Sequence, residues 1–212
     1  MKEIVVVVHG LWMTGIDMLL LRRRLRRCGY EVVQFTYPTM RNSIDANAAR
    51  LHEFTRTFNQ DATIHFVGHS LGGLVILRLF QDFPERHSGR IVLLGTPCAG
   101  SHVAHRLSQY LGRWLFGRSL DQGLLSDIHR WNGGRELGVI AGSLRMGGGL
   151  IVRDLPRPND GTVAVQETYL PGMTEHIILP VSHTGLLFSE TVARQLCAFL
   201  KTGCFIAQQD QR

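Results

Sequence analysis

Six short runs of apolar, largely β-branched residues recur along the chain with stretches of helical periodicity between them, and this alternation limits the fold more than any other feature. The runs cover residues 4–8, 31–36, 63–67, 90–94, 137–141 and 176–181. Near-continuous apolar runs of this length are what strands buried on both faces require. Residues 15–28, 43–59 and 71–81 carry apolar side chains at three- and four-residue spacing, as helices covering a sheet would. Strands that alternate with helices predict an α/β architecture, with a mostly parallel sheet of about six strands and helices on both faces. A last helix is expected over 188–200, followed by a polar, disordered tail.

The chain has 212 residues, 44% of them hydrophobic and 19% charged. That suits one core, so a single domain over 1–206 is expected, with 207–212 as the tail. No apolar run approaches the length of a membrane span, because 4–8 stops at His9-Gly10. The N-terminus also lacks the pattern of a secretory signal, and a cytoplasmic location is expected on that ground. Cys28, Cys98, Cys197 and Cys204 are widely spaced with no CxxC pair, which predicts free thiols and no zinc site. Much of the net charge of +6 comes from Arg22, Arg23, Arg24, Arg26 and Arg27 in one helix. The expected reading is a solvated helix face; weak attraction to an anionic membrane surface is the alternative, and no nucleic-acid partner is expected.

Residues 100–134 break the rhythm. They are helical in pattern and carry Tyr110, Trp114, Leu115, Phe116, Leu124, Leu125 and Trp131 among basic residues. An amphipathic insertion between two strands is either a lid or acyl-binding cap or a helix pair packed on the core. Residues 146–159, with three consecutive glycines and two prolines, read as a loop.

The strongest local signal is Gly68-His69-Ser70-Leu71-Gly72-Gly73, entered from the apolar run 63–67 and left through the helical run 74–80. Strand, tight turn and helix form the context in which GxSxG presents a nucleophilic serine. Such a turn strains the serine backbone, and the flanking glycines let neighbouring backbone pass close by. The helix that starts after Ser70 points its free N–H groups at the same place, which favours developing negative charge. A glycine-rich turn with a capping serine is the bland alternative.

A serine hydroxyl needs a base, and the base an orienting acid, in the chain order serine, acid, histidine. His183 lies just past the last strand, at the sheet edge where Ser70 emerges, whereas His176 starts that strand and belongs at the far edge. Asp160, in Asn159-Asp160-Gly161, falls in the required interval, with Asp154 its nearest rival and an Asx turn the structural alternative. The first strand ends in His9-Gly10-Leu11-Trp12 at the same edge, so the N–H groups of Leu11 and Leu71 are the candidate oxyanion donors. Trp12, Trp114 and Phe116 are the candidate substrate contacts. No metal ligand set and no cofactor motif is expected.

These residues resemble a family of small bacterial α/β-hydrolases related to lipases, esterases and PGAP1-like proteins. The likeness rests on Val8-His9-Gly10-Leu11-Trp12, on the elbow at 68–73, on Leu94-Gly95-Thr96-Pro97-Cys98-Ala99-Gly100-Ser101, on Asn159-Asp160-Gly161-Thr162-Val163 and on Ser182-His183. It implies an acyl-serine enzyme acting on a small-molecule or lipid ester, and it favours Asp160 over Asp154 as the acid. Secretion and a calcium site, features of secreted lipases, are not carried over. The competing expectations are acyl transfer or thioester cleavage on the same triad, and a non-catalytic binding protein on this fold.

Overall fold

The computed structural model describes residues 3–83, 87–98, 130–146 and 155–207. Six strands form one sheet: β1 (Ile4–Val8), β2 (Glu31–Phe35), β3 (Ile64–His69), β4 (Ile91–Leu94), β5 (Leu137–Gly142) and β6 (Glu175–Leu179). Their order across the sheet is β2-β1-β3-β4-β5-β6, and every neighbouring pair is parallel. Each expected strand is present, with no end shifted by more than two residues.

Alternation along the strands divides the core. Val6, Val8, Phe66, Leu93 and Val139 face one layer, where α2 (Ile44–Thr55) and α3 (Leu71–Asp82) contribute Ala48, Leu51, Val75 and Leu79. Val5, Val7, Val67, Val92 and Ile140 face the other, closed by α1 (Leu19–Arg27), α4 (Gly185–Phe188) and α5 (Glu190–Thr202). Leu21, Leu25, Leu186, Leu196 and Phe199 fill that second layer. Fully burying side chains of this size contributes about 1.5–3 kcal/mol each, which is why period-two strands and three-to-four-spaced helices lock together.

Two expectations, the start of the first helix and the free thiols, are corrected here. The first helical stretch starts as a 3-10 turn, Ile16–Met18, and becomes α-helical only at Leu19. The last expected helix, 188–200, is α5, which runs two residues later at each end because Ser189 caps it by accepting a hydrogen bond from Val192 N–H. Trp131, at the end of the expected insertion, is buried, packs edge-on against Phe80 and donates its indole N–H to Arg135 O, as the core-packed alternative for that residue has it. Cys28 and Cys197 are not free thiols but a disulfide joining the end of α1 to α5, while Cys98 and Cys204 are free. The disulfide links residues 169 apart in sequence, a proximity that only the folded packing of α1 against α5 creates.

No helix among the described residues is long and apolar enough to cross a membrane. Residues 99–129, which hold Trp114, Phe116 and most of the expected insertion, lie outside the described residues, as do Asp154 and the tail from 208.

Candidate active site

The carboxyl ends of β1, β3 and β4 are aligned, with Val8 opposite Gly68 and His69 opposite Leu94. The loops that leave them therefore converge on one edge of the sheet. Ser70 sits there with φ 53° and ψ −122°, a strained backbone that few non-glycine residues adopt. Two backbone bonds pin it: Ser70 N–H donates to Leu94 O at 2.9 Å, and Ser70 O accepts from Gly73 N–H at 3.0 Å. The flanking glycines are steric requirements. A Cβ at Gly68 would lie 2.6 Å from Gly73 Cα, and one at Gly72 would lie 2.6 Å from His9 O. Although Ser70 precedes α3, its hydroxyl makes no capping bond. The hydroxyl is thus not spent on capping the helix.

His183 follows β6 in the turn before α4, and it is bonded twice to the loop of Asp160. Its Nδ1–H donates to Asp160 Oδ2 at 2.7 Å, and its backbone N–H donates to Asp160 O at 2.9 Å. Since a carboxylate only accepts, the proton belongs on Nδ1 and the lone pair on Nε2. Asp160 is 1% exposed, and its other oxygen accepts from Thr162 N–H at 2.8 Å and Val163 N–H at 2.7 Å. The Asx turn does not exclude the bond to His183: one carboxyl oxygen closes the turn while the other accepts from the imidazole. Asn159 braces the loop from behind, donating to Pro156 O at 3.0 Å and accepting from Gly161 N–H at 3.1 Å. The Ser70 hydroxyl has no hydrogen bond to His183 in this structure; such bonds are commonly long before substrate arrives.

His176, at the opposite end of β6, exchanges a hydrogen bond with the Thr168 hydroxyl at 2.8 Å and does not reach the site.

The loop after β1 is fixed carbonyl by carbonyl. Tyr37 donates its hydroxyl to His9 O at 2.7 Å, His9 Nδ1–H donates to Gly10 O at 3.0 Å, and Met13 N–H also approaches Gly10 O at 3.4 Å. His9 stacks on Tyr37 with ring centroids 4.6 Å apart, and burial pushes its pKa below the ordinary value. In a trans peptide the N–H points away from the carbonyl. With Gly10 O held on one side, the Leu11 N–H is turned to the other. Trp12 adopts φ 59°, is 55% exposed, and donates its indole N–H to Met40 Sδ at 3.0 Å. Beside the acid loop, a groove of about 590 Å³ is lined by Ser143, Leu144, Arg145, Arg157, Pro158 and Asn159. No group of three or more His, Cys, Asp or Glu side chains among the described residues could hold a metal ion.

His69 and His9 are the two site-forming residues that the sequence reading did not single out. Position 69 is the variable place inside GxSxG, and only the approach of the His183 turn, more than a hundred residues on, gives its side chain a partner. The signal was visible in retrospect as a polar ring ending a buried strand.

A parallel sheet carrying a strained serine at a strand-to-helix turn, with a bonded histidine–aspartate pair on a later loop, defines an α/β-hydrolase scaffold. Residues 5–195 match the model of the alpha/beta hydrolase family, and the chain belongs to that family. No curated protein matches the sequence significantly. Among solved structures, the mature form of the Bacillus licheniformis lipase BlEst2 is similar over 96% of this chain and 93% of that one, with a TM-score of 0.73 at 19% identity. A metagenomic carboxyl esterase superposes over 86% of this chain and 64% of that one, with a TM-score of 0.72 at 20% identity. A monoacylglycerol lipase from Paleococcus ferrophilus covers 94% and 95%, with a TM-score of 0.62 at 15% identity. At such identities the likeness is one of fold.

Proposed function

We propose that this protein is a serine hydrolase that cleaves a carboxylic ester through an acyl-serine intermediate. Ser70 Oγ attacks the ester carbonyl while its proton passes to His183 Nε2, and the carbonyl oxygen becomes an oxyanion faced by the N–H groups of Leu11 and Leu71. The C–O bond to the alcohol then breaks, and His183 returns the proton to the departing oxygen. Water repeats the sequence on the acyl-serine, with His183 first base and then acid, releasing the carboxylic acid. Asp160 holds the productive tautomer throughout and stabilises the imidazolium.

The observation that carries this reading is the 2.7 Å bond from His183 Nδ1–H to a carboxylate that is 1% exposed. A buried carboxylate bonded to the imidazole Nδ1, which leaves the lone pair on Nε2, suits an orienting acid, and a mere turn would not need it. The structural neighbours named as lipases and esterases support ester chemistry, and the lipase, esterase and PGAP1-like resemblance of the sequence points the same way. Trp12 borders the loop of Leu11 and is our proposed contact for the alcohol or acyl group. The Cys28–Cys197 disulfide favours an oxidising compartment over the cytoplasm expected from the N-terminus.

The reading is tested with p-nitrophenyl esters of rising acyl length, assayed for wild type and Ser70→Ala. Wild type should turn over at least one ester, and Ser70→Ala should lose about a thousandfold or more of that rate. Equal rates for both proteins would refute it, and ester products formed from an added alcohol would redirect it to acyl transfer.

A further inference from the structure

His183 has bonds in two directions, and only one of them leads to Ser70. Its ring nitrogen and its backbone N–H both go to the Asp160 loop. Left to those two contacts, the histidine and its acid could shift together as a unit, with their mutual bond intact, without being placed against the serine. The contact in the other direction comes from His69, whose Nε2 lies 3.1 Å from His183 O. A carbonyl only accepts, so His69 carries its proton on Nε2. The two rings lie 4.7 Å apart at 46°.

Position 69 ends β3 on the parity of Val67, which faces the apolar layer built from α1, α4 and α5. A branched aliphatic residue would suit such a place. Instead a fully buried imidazole occupies it, and its Nδ1 has no hydrogen-bond partner among the described residues. Leaving a buried nitrogen unpaired costs about 1–3 kcal/mol. The ring is also wedged against the oxyanion loop: a Cβ on Gly10 would lie 3.0 Å from His69 Nδ1 and 3.2 Å from Ser70 Cβ. One side chain thus adjoins the nucleophile in sequence, touches the loop of Leu11 in space and holds the main chain of the base. Burial, reinforced by the neighbouring His183, lowers its pKa to about 3, so at neutral pH it does this without placing a charge beside the base.

We infer that His69 is a positioning residue: its Nε2–H to His183 O bond ties the loop of the general base to the strand of the nucleophile and sets the distance between them. This rests on the roles proposed above for Ser70 and His183. Removing the tether leaves the His183–Asp160 pair bonded but displaced, and a misplacement of about 1 Å lowers turnover on the order of a hundredfold.

The experiment compares His69→Phe, which keeps a buried ring and loses the donor, with His69→Gln, whose amide nitrogen falls near the place of Nε2 and restores one. Rates are normalised to folded protein, and amide hydrogen exchange is followed across residues 181–185. His69→Phe should lose roughly ten- to a hundredfold in kcat with KM within about twofold, and exchange in the 181–185 turn should rise. His69→Gln should recover most of the rate and the protection. The inference is overturned if His69→Phe keeps kcat within about threefold, if His69→Gln is no better than His69→Phe, or if exchange in the turn is unchanged. A wild type without ester turnover would defeat the hydrolase reading alone, and the exchange comparison would still decide the tether.

Discussion

Lowering the pH from 7 to 5 should weaken the fold by an amount that His69 largely sets. Its imidazole is fully buried, and burial first, then the adjacent His183, drives its pKa down to about 3 from the ordinary 6.5. The folded state therefore keeps this ring neutral while the unfolded chain protonates it below about 6.5. The unfolded state binds the extra proton, so the contribution is complete above 6.5 and is lost as pH falls from there toward 3. At pH 5 the unfolded chain is favoured by about 1.5 units, and each unit is worth about 1.4 kcal/mol, which gives about 2 kcal/mol from this ring. His9, His65 and His176, each also pushed down chiefly by burial, act in the same direction. Urea unfolding at pH 7, 6 and 5 measures the effect. Wild type should lose about 2 kcal/mol or more over that range, and His69→Gln, which cannot titrate, should lose about 2 kcal/mol less. A wild-type stability that is flat from pH 7 to 5, or an identical slope in His69→Gln, would refute the burial argument.

Three further outcomes follow from the same geometry. Unreduced, denatured protein should show two reactive thiols, Cys98 and Cys204, and four after reduction; four without reduction would remove the disulfide. Replacing Cys28 and Cys197 by Ser opens a closure of 169 residues and should cost about 3–5 kcal/mol, lowering Tm by roughly 10 °C in a calorimetric scan. Asp160→Asn can still accept from Thr162 and Val163 but turns an amide toward His183 Nδ1, so kcat should fall about ten-thousandfold while Tm stays close to wild type.

Much of this architecture was legible from residue spacing because local patterns determined it. The β-branched run at 4–8 had to be a buried strand, and Gly68 and Gly72 had to be glycine because Gly73 Cα and His9 O stand where their side chains would go. The pairing of Asp160 with His183 could be looked for in advance because chain order and strand ends restrict where the proposed acid and base can stand. What escaped notice depends on contacts between distant segments. The Cys28–Cys197 bond exists because α1 and α5 cover the same sheet face, and nothing within ten residues of either cysteine announces it. For Trp131 the sequence left a cap and a core-packed helix pair open, and it is Phe80 of α3, distant in sequence, that gives the ring a core position. His69 drew no reading of its own from the sequence, since its partner is the main chain of a residue that only the fold brings near.

The most direct measurement is reaction with a fluorophosphonate, followed by mass mapping of the labelled peptide in wild type and in His183→Ala. The account predicts a single adduct on Ser70 in wild type and labelling slowed by about a thousandfold in His183→Ala, because the hydroxyl is nucleophilic only while His183 accepts its proton. An adduct on another serine, or a Ser70 that stays unlabelled while a control esterase reacts, would contradict it.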